Sequence, residues 1–463
     1  MFFIEFFQKI NFNLFRKQFF NIFINLFFVV FYYHTIALYL NITNYFRIIC
    51  VKYIHMKKEV LINNTLHTPL REREREIKLF EAFSGIGSQF HSLKYIANLF
   101  GYKVKLVGQF EWYIDAIIAH EILNNNLKIK TSKNKLEMID FLKNLSLSNN
   151  SKTLVNNSWF NSLSLIDLQL VYSAIYNSKI LHNNFFNINA IYENEKAIKE
   201  LDIDILTYSF PCQDLSVQGL QKGMELESRT RSSLVWKIGD LLKILNKSNK
   251  LPKVLILENV KNITSIKNKK QLDKWLEFLS SLGYFNHCIV LNSKDFNSAQ
   301  SRERFFCISS FKKIDWVFHK YGSQKCIKDI LNKDVPIKYF FELDSNLLKN
   351  NTFSYSKQSN TNKIVLKEIS NFNSENIIYD ANFCSGTLTA SGANSRLKFY
   401  HNNIVRLVQP KEAFKLMGWK DEDFNKLLKF NYFKDNKLIF LAGNSIVLEV
   451  LNEIFKEIIK NVF

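Results

Sequence analysis

Six cysteines, at positions 50, 212, 288, 307, 326 and 384, are scattered through 463 residues. They form no CxxC pair and no Cys/His cluster of metal-ligand spacing. This excludes a structural zinc site and a disulfide framework, and it fits a reducing compartment. Internal repeats are lacking, which excludes a solenoid or propeller. Between Gln18 and Phe46 charge is lacking too: there is no Asp, Glu, Lys or Arg, and the centre reads Phe-Ile-Asn-Leu-Phe-Phe-Val-Val-Phe-Tyr-Tyr (23–33). No small-residue cleavage site follows, so this is no secretory signal. Its length, with Arg16 and Lys17 on one flank and Arg47 and Lys52 on the other, suits a transmembrane helix. Translated AT-rich DNA yields the same mixture of Phe, Ile, Asn and Tyr. Met56-Lys-Lys-Glu then opens an ordinary soluble composition. We therefore expect residues 1–55 to be a misassigned start, with a membrane anchor or a buried accessory element as the alternatives. Residues 56–76 form a lead-in, and a chain beginning at Met56 is expected to be soluble and active.

What is present is positive charge, a net +20 at pH 7, with 47% hydrophobic residues. The hydrophobic share is ample for a large core, and the length leaves room for two domains. Such basicity implies a polyanionic partner, nucleic acid or an acidic membrane surface. Part of the lysine excess is attributable to an AT-rich coding sequence, as are the 43 phenylalanines. Residues 1–55 carry five basic side chains and one Glu, so the charge persists without them.

Strands and helices alternate from about residue 77. Ile-Lys-Leu-Phe-Glu-Ala (77–82) predicts a strand running into Phe83-Ser-Gly85-Ile-Gly87-Ser88, with helical spacing to about Phe100. Glycines at 85 and 87 let the backbone approach a ligand at a helix N-terminus. A second strand (103–110) ends in Glu111-Trp112. In a nucleotide-type crevice an acid there accepts ribose hydroxyls and the aromatic lies against adenine; a surface carboxylate and a core aromatic are the plainer alternatives. Residues 113–200 read as mostly helical, with a third strand ending around 185–189. Further strands are expected at 203–210, 253–258 and 288–292. The alternation predicts an α/β fold: a doubly wound, mostly parallel sheet with ligands at the carboxyl ends of its strands. From 313 to 401 it decays into Asn-, Ser- and Lys-rich sequence, read as a smaller inserted lobe. Residues 402–463 return to the first domain, which otherwise spans 77–312.

Two of those strand ends carry the chemistry. One runs into Tyr208-Ser-Phe-Pro211-Cys212-Gln-Asp-Leu-Ser and the other into Leu257-Glu258-Asn-Val. A thiolate on a rigid perch, paired with a buried carboxylic acid, suits attack on an electron-poor heteroaromatic ring whose nitrogen gains charge. Taken singly, Cys212 also reads as a packed thiol and Glu258 as an ordinary strand-end acid.

With these blocks in view, the chain resembles the DNA (cytosine-5)-methyltransferases from about residue 77 to its end, with the blocks in unpermuted order. The resemblance implies an S-adenosylmethionine-dependent methyltransferase fold. It likens Phe83, Gly85 and Gly87 to the S-adenosylmethionine turn, and Glu111 and Trp112 to its ribose and adenine contacts. Pro211-Cys212 is similar to the nucleophile motif and Glu258-Asn259-Val260 to the acid motif. Gln300, Arg302 and Arg304 look like the Gln-x-Arg-x-Arg block, its arginines holding the flipped nucleotide and Glu258, and Gln300 is placed with the DNA contacts. Gly443-Asn444-Ser445 looks like the block that closes the cofactor pocket. Asn187 stands where the family usually has an Asp for the adenine amino group, and Ser88 where a smaller residue is usual. Narrower still, Gly386-Thr-Leu-Thr-Ala-Ser-Gly-Ala-Asn-Ser-Arg-Leu-Lys398 looks like the CpG-specific members from mollicutes. That makes Thr387, Thr389 and Ser391 candidate target-reading residues and residues 313–401 a target-recognition lobe.

The implied reaction transfers a methyl group from S-adenosylmethionine to C5 of a flipped cytosine, with CG as the expected site. The implied partner is double-stranded DNA, met by a monomer in the cytoplasm at the nucleoid, and a separately acting restriction endonuclease is a companion compatible with the family. A tRNA cytosine methyltransferase of the same fold and a catalytically inactive DNA-binding homologue are the rival readings. The large inserted lobe and Ser216 weigh against the first, and the full set of catalytic positions against the second.

Overall fold

A computed structural model describes residues 75–211, 231–322, 324–367, 369–370, 373–390 and 397–463. Strand β1 (Arg75–Ala82) sets the layering. Ile77 and Leu79 enter one core cluster while Phe80 and Ala82 enter the other, as the two-residue period of a strand requires. The next strands are β2 (Tyr102–Phe110), β3 (Ile205–Tyr208) and β4 (Val254–Val260). In β4, Val254 and Ile256 face the first cluster and Leu255 and Leu257 the second, all four fully buried. A one-residue slip would exchange the faces of side chains each worth about 1.5–3 kcal/mol on burial, so register is tightly held. A strand buried on both faces belongs inside a sheet that is covered on each side.

With β5 (Phe285–Asn292) and β6 (Glu303–Ser310) the sheet order is β2-β1-β3-β4-β6-β5. The first four strands are parallel, and β6 runs antiparallel to both its neighbours. Helices α1 (Ser88–Leu99) and α2 (Ile114–Asn125) cover one face. Helices α3 (Val235–Lys247) and α4 (Ile266–Ser281) cover the other. The chain returns through α5 (Pro410–Leu416), α6 (Asp435–Asn444) and α7 (Leu448–Val462). Ser92 on α1 donates to Asn452 on α7 at 2.6 Å, closing the C-terminus onto the first domain. The stretch Asp435–Val462 is long and apolar enough to cross a membrane, yet 78% of its most apolar window is buried within the protein. Ser445–Val447 also breaks it into two helices.

A second sheet, ordered β11-β10-β9-β8-β7, contains β7 (Ser354–Ser356), β8 (Thr361–Val365), β9 (Ile377–Asp380), β10 (Lys398–His401) and β11 (Ile404–Leu407). Ile364, Leu366, Ile378 and Val405 form its own small core. Asn402 and Asn403, at φ 50° and 62°, turn the β10–β11 hairpin, the left-handed pair that such two-residue loops demand.

Two expectations need correction. The second sheet includes Ile404–Leu407, so a lobe boundary at 401/402 cuts through a hairpin. The expected third strand, ending around 185–189, is reduced to a single bridge between Gln109 and Asn184. Phe186 takes φ 57°, which ends extension, and Asn187 caps a short 3-10 helix at Ile188–Asn194.

Candidate active site

The turn after β1 is built by left-handed backbone. Phe83 has φ 59° and its N–H donates to Phe110 O at 2.8 Å, tying the turn to β2. Gly87 (φ 76°) leads into α1, and a Cβ there would lie 2.4 Å from His120 Cδ2 and 2.5 Å from Asn124 Nδ2. Those side chains cannot easily retreat. His120 bonds Glu81 at 3.2 Å and Asn124 donates to Ile86 O at 3.1 Å, while Glu81 also accepts the Phe90 N–H at 2.9 Å. Gly85 (φ 55°) is different: a Cβ there would meet no atom within 4 Å, so this point of the turn faces open space.

Glu111, just beyond β2, faces the same turn. Its Oε2 accepts the Gly85 N–H at 2.9 Å and its Oε1 the Tyr113 N–H at 2.9 Å, and the Trp112 amide also acts on the carboxylate. Burial raises its carboxyl above the usual range, and the Tyr113 and Gly85 amides oppose that rise. Asn184 fixes the Glu111 backbone from both sides, accepting its N–H at 3.1 Å and donating to its carbonyl at 2.9 Å. Nothing in the sequence singled out Asn184. Trp112 is half-buried against the core. Asn187 Oδ1 accepts the Asn189 N–H at 3.0 Å, so this oxygen already caps a turn. Ser88 is buried at the head of α1 with no hydrogen-bond partner for Oγ.

Glu258 sits near the carboxyl end of β4 and is 8% exposed, with Arg304 Nε 3.2 Å from its Oε1. Burial pushes its carboxyl upward, against the pull of Arg304 and then Arg302. A buried carboxyl that keeps its proton to higher pH is the donor a ring nitrogen needs. The next residue, Asn259, donates through Nδ2 to Phe210 O at 3.1 Å and accepts the Val260 N–H at 2.8 Å. It thereby ties the end of β4 to the segment leading into Pro211. Cys212 and Ser391 lie outside the described residues.

The two arginines separate. Arg304 is on Glu258, but the Arg302 guanidinium is buried and donates to the carbonyls of Leu388 (2.6 Å), Gly443 (2.9 Å) and Ser445 (3.2 Å). Gln300, expected among the DNA contacts, is fully buried; its Oε1 accepts the Leu388 N–H at 2.6 Å and its Nε2 donates to Leu416 O at 3.2 Å. It is an internal strut, and we correct that assignment. Thr387 Oγ1 donates to Ser301 O at 3.1 Å, and Thr387 and Thr389 are both half-buried. Asn444 is exposed, while Ser445 is buried with its hydroxyl on Ala442 O at 2.7 Å.

A glycine turn facing an acid at the next strand end, beside a buried acid two strands further along the sheet, defines a methyltransferase of the doubly wound α/β class. Comparison with known proteins gives the particular family. Residues 133–460 match the C-5 cytosine-specific DNA methylases. The orphan methyltransferase M.SssI of Spiroplasma monobiae is 40% identical over 393 residues, covering 84% of this chain and 99% of that protein. The type II methyltransferase M2.ScrFI of Lactococcus lactis is 33% identical, covering 83% of this chain and 99% of that protein. Among solved structures, the S. pombe Dnmt2 methyltransferase has a TM-score of 0.51 at 17% identity over 84% of this chain and 100% of its own, a likeness of fold alone. The chain belongs to the cytosine-5 DNA methyltransferases.

Enzymes of this family use S-adenosylmethionine, and the residues present fit it. The turn at Gly85 is open where a Cβ would stand, and the Glu111 carboxylate, with about four acceptor sites and three amides on it, keeps room for a ligand hydroxyl.

Proposed function

We propose that this enzyme methylates the cytosine of 5′-CG-3′ in double-stranded DNA, acting as a monomer in the cytoplasm. The observation that carries the chemistry is Glu258, buried at the end of β4 on Arg304 and one residue from the Asn259 bond to Phe210. Gly85, Gly87 and Glu111 hold the cofactor, with Phe83, Trp112, Asn187, Pro211, Asn444 and Ser445 around it. S-adenosylmethionine supplies an electrophilic methyl group. A stacked cytosine is out of reach, so it is flipped at a cost of about a few kcal/mol. The Cys212 thiolate adds to C6 while the Glu258 carboxyl donates to N3, and the electron pair of the C5–C6 bond moves to C5. C5 would take the methyl group as the sulfur–methyl bond breaks and S-adenosylhomocysteine departs; the C5 proton is then lost to solvent, its electron pair re-forms the C5–C6 bond as the Cys212 thiolate leaves, and N3 returns its proton to Glu258. Arg304 keeps Glu258 aimed.

The target assignment rests on Gly386–Lys398, within which Thr387, Thr389 and Ser391 are the candidate readers. A bisulfite map of DNA from cells expressing the chain tests it, with methylation expected at CG in every flanking context. Methylation confined to a longer motif would overturn the CG reading, and activity on RNA in place of DNA would favour the tRNA alternative.

A further inference from the structure

β5 and β6 carry two thiols that the methyl-transfer chemistry does not use. In their ladder Cys288 stands directly opposite Cys307, and facing residues of an antiparallel pair point to the same side of the sheet. Cα atoms so paired are about 4.5–5.5 Å apart, inside the roughly 4.4–6.8 Å that a disulfide spans. The two thiols are unequal. Cys288 lies on the edge strand of the sheet and is exposed, so a small molecule reaches it from solvent. Cys307 is 1% exposed, inside the core covered by α3 and α4, and Val290 packs against the same cluster. The hydrogen bond with Cys307 lowers the Cys288 thiol below its usual range, against desolvation and the Asp273 carboxylate on α4. The same bond, with burial, holds Cys307 well above that range. One thiol therefore meets solvent ready to ionise, and its partner stands behind it.

We propose that Cys288 and Cys307 form a redox-modification site, at which a small disulfide such as oxidised glutathione converts the pair into a reversible bridge between β5 and β6. The Cys288 thiolate attacks one sulfur of the small disulfide, whose S–S bond breaks as one thiolate leaves. The product is a mixed disulfide at Cys288. Cys307 then gives up its proton and attacks Cys288 Sγ, and the second small thiolate departs. The two cysteines lose two electrons in all, and their two protons end on the two small thiols formed. The thiolate is the attacking species, which assigns the first step to Cys288 and the resolving step to Cys307. Resolution also spares Cys288 the irreversible oxidation states, because a disulfide is recovered by any small thiol. The bridge would sit on the strand that carries Arg304 to Glu258, where Arg304 pairs with Leu291 of β5 and Val260 of β4.

The test is a timed chemical map. The full chain, reduced and freed of reductant, is incubated with oxidised glutathione at neutral pH without denaturant, quenched by alkylation at intervals, and its peptides are identified by mass spectrometry. Cys326 is the internal comparison: it is partly exposed, but burial and its bond to Asp329 push its thiol up to about 11. Glutathione is expected on Cys288 first, about tenfold faster than on Cys326. It is then expected to give way to a bridge between Cys288 and Cys307 that dithiothreitol reverses. Cys307→Ala is expected to trap glutathione on Cys288, and Cys288→Ser to leave Cys307 unmodified. Should Cys307→Ala fail to fold, the order of events in the unaltered chain decides. Glutathione on Cys307 before Cys288, a mixed disulfide at Cys288 that never resolves in the unaltered chain, or a bridge that forms only in urea overturns the proposal.

Discussion

Two glycines two residues apart should fail in different ways when each becomes alanine. At Gly85 and Gly87 alike, a side chain must accept left-handed backbone, at about 1–2 kcal/mol. At Gly87 the methyl also enters space held by His120, 2.4 Å away, and Asn124, 2.5 Å away. His120 is stacked on Phe90 with ring centroids 5.9 Å apart and bonded to buried Glu81, so it cannot swing aside. Overpacking of this kind adds about 1–3 kcal/mol. Gly87→Ala should therefore lose roughly 2–5 kcal/mol, visible as a clear drop in melting temperature. Gly85→Ala should lose only the backbone share, because its methyl meets nothing in the protein. That methyl instead occupies the space a ligand would fill, so S-adenosylhomocysteine affinity should fall on the order of tenfold, about 1.4 kcal/mol. Thermal melts and calorimetric titration of both variants provide the check. A Gly85→Ala protein that melts as low as Gly87→Ala, or that binds with unaltered affinity, refutes the argument.

Cys212→Ser should abolish methyl transfer while DNA and cofactor binding persist, because a hydroxyl is far less nucleophilic than a thiolate at neutral pH; transfer within tenfold of the unaltered enzyme would remove Cys212 as nucleophile. Glu258→Gln should lower single-turnover rate on the order of 10²-fold. Since burial raises the Glu258 carboxyl, the unaltered rate should fall as pH rises through that raised value, and the limb should vanish in the Gln variant. Asn187→Asp should tighten cofactor binding, since a carboxylate can cap Asn189 with one oxygen and offer a charged acceptor with the other; weaker binding on titration would count against position 187. Burial lifts the Glu121 carboxyl to about 7, against an unperturbed 4.5. Its folded-state pKa is raised, so its contribution is fully present below pH 4.5 and is lost as pH rises through 7. Glu121→Gln, which has no proton to lose, should match the unaltered protein near pH 4.5 in urea melts. It should exceed it by up to about 3 kcal/mol at pH 8, and an equal offset at both pH values would disprove the assignment.

Much of the sheet was legible because its central strands obey simple patterns. β1 to β4 are short apolar runs that end where Gly, Pro or acid residues change the chemistry, and the structure finds them within one or two residues at most ends. The failures have local causes. Phe185-Phe-Asn-Ile-Asn reads as a strand by composition, but Phe186 turns left-handed and Asn187 bonds its own chain two residues on. β6 went unseen because Glu303 and Arg304 open it, and a charged start reads as part of a functional block rather than as a strand. Its ladder to β4 pairs Arg304 with Val260 and Phe306 with Glu258, which is what brings the guanidinium onto the acid.

The site itself divides along a line that residue type does not reveal. Gln300 and Arg302 belong to a block whose polar character suggests contact with DNA, yet their partners are the main-chain groups of Leu388, Leu416, Gly443 and Ser445. Asn184 and Asn259 act alike, on Glu111 and Phe210. A buried main-chain group left without its partner costs about 1–3 kcal/mol, so these four side chains offset a penalty that no substrate needs to meet. The partner segments lie as far as 143 residues away, beyond any local pattern. Motif spacing therefore finds the right residues while leaving open which of them face the ligand. That question turns on the far side of each hydrogen bond: Glu111 and Glu258 keep acceptor or donor capacity at the strand ends, whereas Gln300 and Arg302 bond main-chain groups of the framework that positions the ends.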